Sequence, residues 1–249
     1  MSAGDRMPPR DRLIVALDVP GLAEATALLD RLAGVVSIFK VGLTLLAAAG
    51  PAAVELVRQR GGRVFLDVKL HDIPAQVAGA VRQAARLDVA MLTVHASGGR
   101  EMLLAAAGAV AALGPGRPRV LAVTVLTSLD RASLQRDLGV PMAVEGHVLR
   151  LAALAHEAGC DGVVASPQEA RRLRLLLGPD ALVVTPGVLP ASASSDDQAR
   201  VATPGAACRA GADYLVVGRP ITASPDPAAA AESIMAEMAG ASPRSSHST

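Results

Sequence analysis

The chain has 249 residues, with 24 Lys+Arg against 23 Asp+Glu and a formal net charge of +1. That balance argues against a charge-driven binder of nucleic acid or membrane surfaces, and 51% hydrophobic against 19% charged residues excludes a largely disordered chain. Aromatics make up 1%, namely Tyr214, Phe39 and Phe65 with no Trp, so there is no platform for stacking bases and the core must be mainly Ala, Val and Leu.

Taken in chain order, a Val/Ile/Leu run at 12–18 is followed by helical spacing over 21–32, a run at 35–42, helical spacing over 52–60, and a run at 62–69. The alternation continues with a helix over 76–87, a strand over 88–95, a helix over 101–113, a strand over 119–126 and a helix over 145–158. Strands at 161–165, 181–185 and 213–218 complete it, with a helix over 167–177 between the first two. The runs are apolar almost throughout, as strands buried on both faces require. Eight strands alternating with helices predict a parallel sheet closed into a single-domain (β/α)8 TIM barrel. A doubly wound open sheet is the structural alternative, but no Gly-x-Gly-x-x-Gly follows the first strand.

The barrel is expected over 11–239, with a flexible start at 1–10 and a disordered tail at 240–249. Gly34, Gly61, Gly159 and Gly211 precede strands, where a helix end calls for a left-handed residue. The longest segments expected to be irregular are 127–145 and 189–203, both after strands. Cys160 and Cys208 have no metal-ligand spacing and are expected to be small buried hydrophobes. The longest apolar stretch, 102–114, is too short to span a bilayer, and the start does not look like a secretory signal. A cytoplasmic location is the expectation.

In so apolar a chain, ionisable groups at strand ends are informative. Asp18 ends the first run, Lys40 lies near the end of the second, and the third ends Asp67-Val68-Lys69-Leu70-His71-Asp72. Period-two alternation puts Asp67 and Lys69 on one side of their strand. If that side faces the barrel axis, they meet Lys40 in an alternating array of ammonium and carboxylate groups. At the other end of the chain, Thr185-Pro186-Gly187 closes the seventh strand and Gly218-Arg219-Pro220 the eighth. Glycine lets backbone N–H groups approach an oxyanion and arginine supplies a planar fork, at the two loops where such barrels often hold phosphate.

Together with Phe39-Lys40-Val41-Gly42, Val94-His95-Ala96-Ser97-Gly98-Gly99, Leu126-Thr127-Ser128 and Asp197-Gln198, these motifs resemble the orotidine 5′-phosphate decarboxylase family, in order from about residue 12 to 227. Asp-x-Lys-x-x-Asp is shared with sugar-phosphate decarboxylases and synthases, whereas the following Ile73-Pro74 favours the orotidylate branch. The resemblance implies a catalytic tetrad of Lys40, Asp67, Lys69 and Asp72, with Asp72 and Ile73 supplied by the neighbouring subunit of a homodimer. It implies substrate contacts from Asp18, Lys40, Asp67, Ile73, Gln76 and Thr127, and phosphate contacts from Gln198, Gly218 and Arg219. It also implies no metal and no organic cofactor, and places the reaction in pyrimidine synthesis.

Two departures stand out. The family usually continues Asp-Ile-Pro-Asn-Thr where this chain has Ala75-Gln76, and its bacterial members usually carry arginine where this chain has Leu189. Losing a charge-assisted hydrogen bond of about 1.5–3 kcal/mol weakens phosphate binding about 10- to 150-fold unless Arg200 or the Ser-rich loop replaces it. Two other readings stay open at this point: a metal-assisted sugar-phosphate decarboxylase or synthase, and a non-catalytic nucleotide-phosphate binder. His95 is expected to be structural, and His71 has no role assigned.

Overall fold

The computed structural model describes residues 7–189 and 202–241. Each apolar run becomes a strand: β1 (Leu13–Ala16), β2 (Ile38–Gly42), β3 (Arg63–Leu70), β4 (Met91–His95), β5 (Arg119–Val123), β6 (Gly162–Val164), β7 (Leu182–Thr185) and β8 (Tyr214–Val217). Neighbours in sequence pair in parallel, and β8 closes onto β1 through Ile14 and Val216. The fold is thus the (β/α)8 barrel that the alternation predicts. Its helices are α1 (Leu22–Arg31), α2 (Leu43–Ala49), α3 (Ala52–Gln59), α4 (Pro74–Arg86), α5 (Gly99–Ala111), α6 (Arg131–Leu138), α7 (Val144–Glu157), α8 (Ala170–Leu177), α9 (Pro204–Arg209), α10 (Arg219–Thr222) and α11 (Pro227–Ala239). No helix among the described residues is long and apolar enough to cross a membrane.

Strand alternation divides the apolar residues into two cores. Inside the barrel, Ile14, Ala16, Ile38, Phe65, Val123, Val184 and Val216 pack together with Met91, Leu121 and Tyr214. The alternate residues, such as Leu13, Val15, Phe39, Val64 and Leu66, face the helices. Helix α1 shows how the outer layer forms: Ala25, Leu28 and Leu29 are its buried residues, spaced three and four apart. Burying each leucine contributes roughly 1.5–3 kcal/mol. Helix α4 begins with Pro74 at a position where a missing N–H costs nothing, and buries Val77, Val81 and Ala84.

Gly34, Gly61, Gly159 and Gly211 all have positive φ, at 76°, 74°, 84° and 104°. The expectation of irregular structure over 127–145 is corrected, because α6 lies within it. Leu134 is its one buried residue, so apolar periodicity gave no signal there. The start and stop signals did exist: Asp130 caps the start by accepting from the Ser133 N–H at 2.8 Å, and Gly139 ends the helix at φ 64°. Cys160 is buried, and burial pushes its thiol up to about 12. Cys208 is only half-buried at the edge of the outer core, a correction to its expected burial. Residues 1–6 and 242–249 of the expected flexible start and tail, and 190–201 of the loop after β7, lie outside the described residues.

Candidate active site

The C-terminal ends of the strands surround a pocket lined by Lys40, Phe65, Asp67, Lys69, Val123, Val125, Leu126, Thr127, Val164, Ala165, Pro186 and Val216. It holds about 560 Å³ of empty space, part of it open to solvent. Its walls are mostly apolar, and its charge is concentrated on β2 and β3.

The register explains that concentration. Lys40 pairs with Ala16 on one side and Phe65 on the other, and both neighbours belong to the barrel interior. Lys40 therefore points inward, one layer above Ile38. On β3, Phe65 and Asp67 follow the same inward alternation. Beyond Asp67 the strand departs from regular pairing: Leu66 lies opposite Leu92 and Leu70 opposite Val94, so Asp67, Val68 and Lys69 stand against the single residue Thr93. Lys69 takes φ 50° to close this bulge, a conformation that costs a residue with a side chain about 1–2 kcal/mol. Bulges commonly re-aim a side chain beside an active site.

The resulting contacts are close. Lys69 Nζ donates to Asp67 Oδ1 at 2.9 Å and to Oδ2 at 3.0 Å, and Lys40 Nζ lies 3.7 Å from Asp67 Oδ2 and 2.7 Å from Asp18 Oδ1. The Lys40 and Asp67 side chains are 10% and 13% exposed, so water screens them little, while Asp18 is 55% exposed at the rim. The order Asp18, Lys40, Asp67, Lys69 is the alternating array that the strand-end pattern predicts. Gly42 makes room for it: a Cβ there would stand 2.8 Å from Lys40 Nζ and 2.9 Å from Asp18 Oδ1.

Thr127 lines the same pocket. Gly218 precedes α10, two residues beyond the pocket-lining Val216, and Arg219 is exposed at the start of that helix. Asp72, Ile73 and Gln76 are exposed and do not line the pocket. Asp72 Oδ1 accepts from the Ile73 N–H at 2.6 Å, and Ile73 is 64% exposed. Gln76 sits in the first turn of α4, its N–H donating to the Ile73 carbonyl at 3.0 Å. Leu189 donates its N–H to the Ala202 carbonyl at 3.1 Å, which closes the base of the loop after β7. Gln198 and Arg200 lie outside the described residues.

Sequence reasoning missed three residues of the site. Thr93 is fully buried, accepts from the Lys69 N–H at 2.9 Å and donates to Asp67 Oδ1 at 3.0 Å. Its signal was one hydroxyl in the apolar run Met91-Leu92-Thr93-Val94. Gly42 was visible only as the last residue of the Phe39-Lys40-Val41-Gly42 motif, with no role attached. Phe65, in the sequence only one of three aromatics, lines the pocket two residues before Asp67. His95, on β4, lies beside His71 with ring centroids 5.4 Å apart. Burial, His71 and Lys69 lower its pKa below the usual 6.5 against a smaller opposing effect of Asp67, so the ring is held neutral. Among the described residues, no group of three His, Cys, Asp or Glu side chains is placed to hold a metal ion.

A closed (β/α)8 barrel whose inward charges gather at the C-terminal strand ends defines an α/β-barrel enzyme. Residues 11–234 match the family described as Orotidine 5'-phosphate decarboxylase / HUMPS family, and the chain belongs to it. A Moorella thermoacetica protein named orotidine 5'-phosphate decarboxylase is 57% identical over 237 residues, 94% of each chain. One of the same name from Pelobacter propionicus is 52% identical over 239 residues, covering 94% of this chain and 98% of its own. The crystal structure of orotidine 5'-phosphate decarboxylase from Lactobacillus acidophilus superposes with a TM-score of 0.81 at 38% identity, over 92% of this chain and 99% of that one.

Proposed function

We propose that the protein decarboxylates orotidine 5′-phosphate to uridine 5′-phosphate, without a cofactor, in pyrimidine synthesis. The observation that carries this reading is the Lys40–Asp67–Lys69 array lining the pocket. Relatives at 52% and 57% identity bear the same enzyme name, and they favour the orotidylate branch over the sugar-phosphate branch of the family.

The chemistry follows from the charges. The C6–carboxylate bond breaks heterolytically, CO2 leaves, and the electron pair stays on C6, where the ring delocalises it poorly. A preorganised ammonium beside that carbon stabilises the developing charge, and Lys69 Nζ supplies it. Lys69 then donates one proton to C6, so that one proton taken up balances the CO2 released. Asp67, held beside Lys69, lies near the departing carboxylate in this reading and favours its loss over its retention. The family resemblance assigns Lys40 and Asp18 to the ribose hydroxyls, Thr127 to the pyrimidine, and Gln198, Gly218 and Arg219 to the phosphate. Phe65, Val123 and Val216 supply apolar contact to the base.

The second subunit enters this proposal through Asp72 and Ile73. Both are exposed on the segment that follows the charged strand, and an isoleucine 64% exposed gains by being covered. In a homodimer they reach the neighbouring pocket, where Asp72 joins the tetrad and Ile73 covers the base. Gln76 takes the ribose contact that threonine makes elsewhere in the family.

The test is loss of orotidylate absorbance with purified protein in EDTA. Turnover that survives chelation supports a cofactor-independent decarboxylase. Turnover that chelation abolishes favours a metal-assisted reaction, and uridine 5′-phosphate binding without any turnover leaves only a nucleotide-phosphate binder.

A further inference from the structure

We propose that Thr93 is a positioning residue for the decarboxylation, its buried hydroxyl setting Lys69 Nζ and Asp67 against the reacting carbon. This rests on the reaction proposed above. Thr93 does not line the pocket, so it acts through the two residues it holds.

The proton arrangement at Thr93 is fixed by its partners. The Lys69 N–H can only donate and the Asp67 carboxylate can only accept, so the Thr93 oxygen accepts from the first at 2.9 Å while its O–H donates to Oδ1 of the second at 3.0 Å. Thr93 is 0% exposed, so no solvent stands ready to replace either bond. Both partners belong to the β3 bulge, where three residues face Thr93 alone and Lys69 is held at φ 50°. An N–H in an extended strand would be taken up by the regular ladder, whereas in the bulge the Thr93 hydroxyl takes it. One side chain thereby fixes the backbone of the ammonium carrier and the carboxylate that the ammonium grips. Without it, Asp67 Oδ1 keeps only Lys69 as a partner and the bulge loses the bond that opposes its relaxation.

The experiment compares Thr93→Val and Thr93→Ser with wild type in orotidylate turnover, inhibition by uridine 5′-phosphate, and thermal midpoint. Valine keeps shape and strand propensity but removes the hydroxyl, while serine keeps the donor and acceptor. T93V is expected to lower kcat by about 10- to 100-fold, the cost of a misplaced reacting group, with product affinity nearly unchanged. T93S is expected to stay within a few-fold of wild type. Equal losses in T93V and T93S, an unaffected kcat in T93V, or a change confined to KM or thermal midpoint would overturn the inference. Should T93V fail to fold, Thr93→Ala against Thr93→Ser differs by the hydroxyl alone and makes the same comparison. An inactive wild type would overturn the proposed reaction and this inference with it, an outcome distinct from an active wild type beside an active T93V.

Discussion

The two ends of the barrel both hold charge out of water, but they use it in opposite ways. At the N-terminal end, Asp161 accepts from Arg117 through both oxygens at 2.7 Å, from Arg119 at 3.0 Å and from the Val120 N–H at 2.8 Å. Asp213, fully buried, pairs with Arg174 and accepts from the Val183 N–H at 2.8 Å. Arg174 spends its other donors on the carbonyls of Gly178, Ala181 and Gly211, and Arg12 binds those of Asp213 and Ala212. Each carboxylate precedes one strand and bonds the first residues of the strand before it, so it pins two strand starts together. At the C-terminal end, Lys40, Asp67 and Lys69 touch each other but keep a side open to the pocket. Buried charge that is surrounded by partners ties strand starts together and is costly to break; buried charge that faces a cavity is left to act on a substrate.

The sharpest way to break that contrast is to remove one charge from each end. Lys69→Ala takes away both the charge at C6 and the proton donor, and turnover should fall by about 10³-fold or more. Its thermal midpoint should stay near that of wild type, since the ammonium serves the pocket and not the barrel. Asp213→Ala should do the reverse. Breaking a buried pair leaves Arg174 and the Val183 N–H without their carboxylate and costs about 3–5 kcal/mol, which at this chain length lowers Tm by roughly 6–20 °C. Turnover per folded molecule should be unchanged. Calorimetry and steady-state assays on the same two preparations check both, and a K69A protein that unfolds early would erase the distinction.

Gly42→Ala probes the C-terminal end more gently. The added methyl would stand within 3 Å of Lys40 Nζ and Asp18 Oδ1, so the ammonium, the carboxylate or both must shift. Losing one charge-assisted contact to ribose should raise KM about 10-fold or more with kcat less affected. An unchanged KM in G42A would remove Asp18 and Lys40 from the proposed ribose contacts.

These residues also mark how far the sequence could be read. The eight strands were legible because parallel strands buried on both faces need continuous apolar runs, and Asp18, Lys40, Asp67 and Lys69 were legible because charge interrupts those runs at matching ends. Thr93 was not, since its importance arises from a register shift between β3 and β4 that no periodicity encodes. Helix α6 was hidden because it buries a single leucine. The N-terminal network was half visible. Ala158-Gly159-Cys160-Asp161 and Ala210-Gly211-Ala212-Asp213 repeat one pattern of helix end, left-handed glycine and strand start, in which the glycines are a local signal and the aspartates are not. The aspartates' partners, Arg117 and Arg174, lie 44 and 39 residues away in the chain, beyond any local motif.

The smallest expected effect is on acid stability, and it separates the two ends by pH. His95 is lowered below its ordinary 6.5 by burial first, then by His71 and Lys69. The unfolded chain therefore takes up this proton before the folded one does, and stability drains away as pH falls from about 6.5 through the folded value. For Asp161, burial works to raise the carboxyl, but bonds from Arg117, the Val120 N–H and Arg119 outweigh it and hold it below the carboxylate range. Its contribution is full above the unfolded value of about 3.9 and is lost as pH falls through the lower folded one. The C-terminal end should thus loosen in mild acid and the N-terminal end only in strong acid. Denaturant midpoints from pH 8 to pH 3 should show His95→Gln flattening the slope just below pH 6.5 and leaving the strong-acid limb intact. Asp161→Asn should lower the whole curve and flatten that limb instead. If H95Q and wild type run parallel through pH 6, the neutral His95 beside Lys69 contributes nothing to the cost of acid, and the pH separation of the two ends fails.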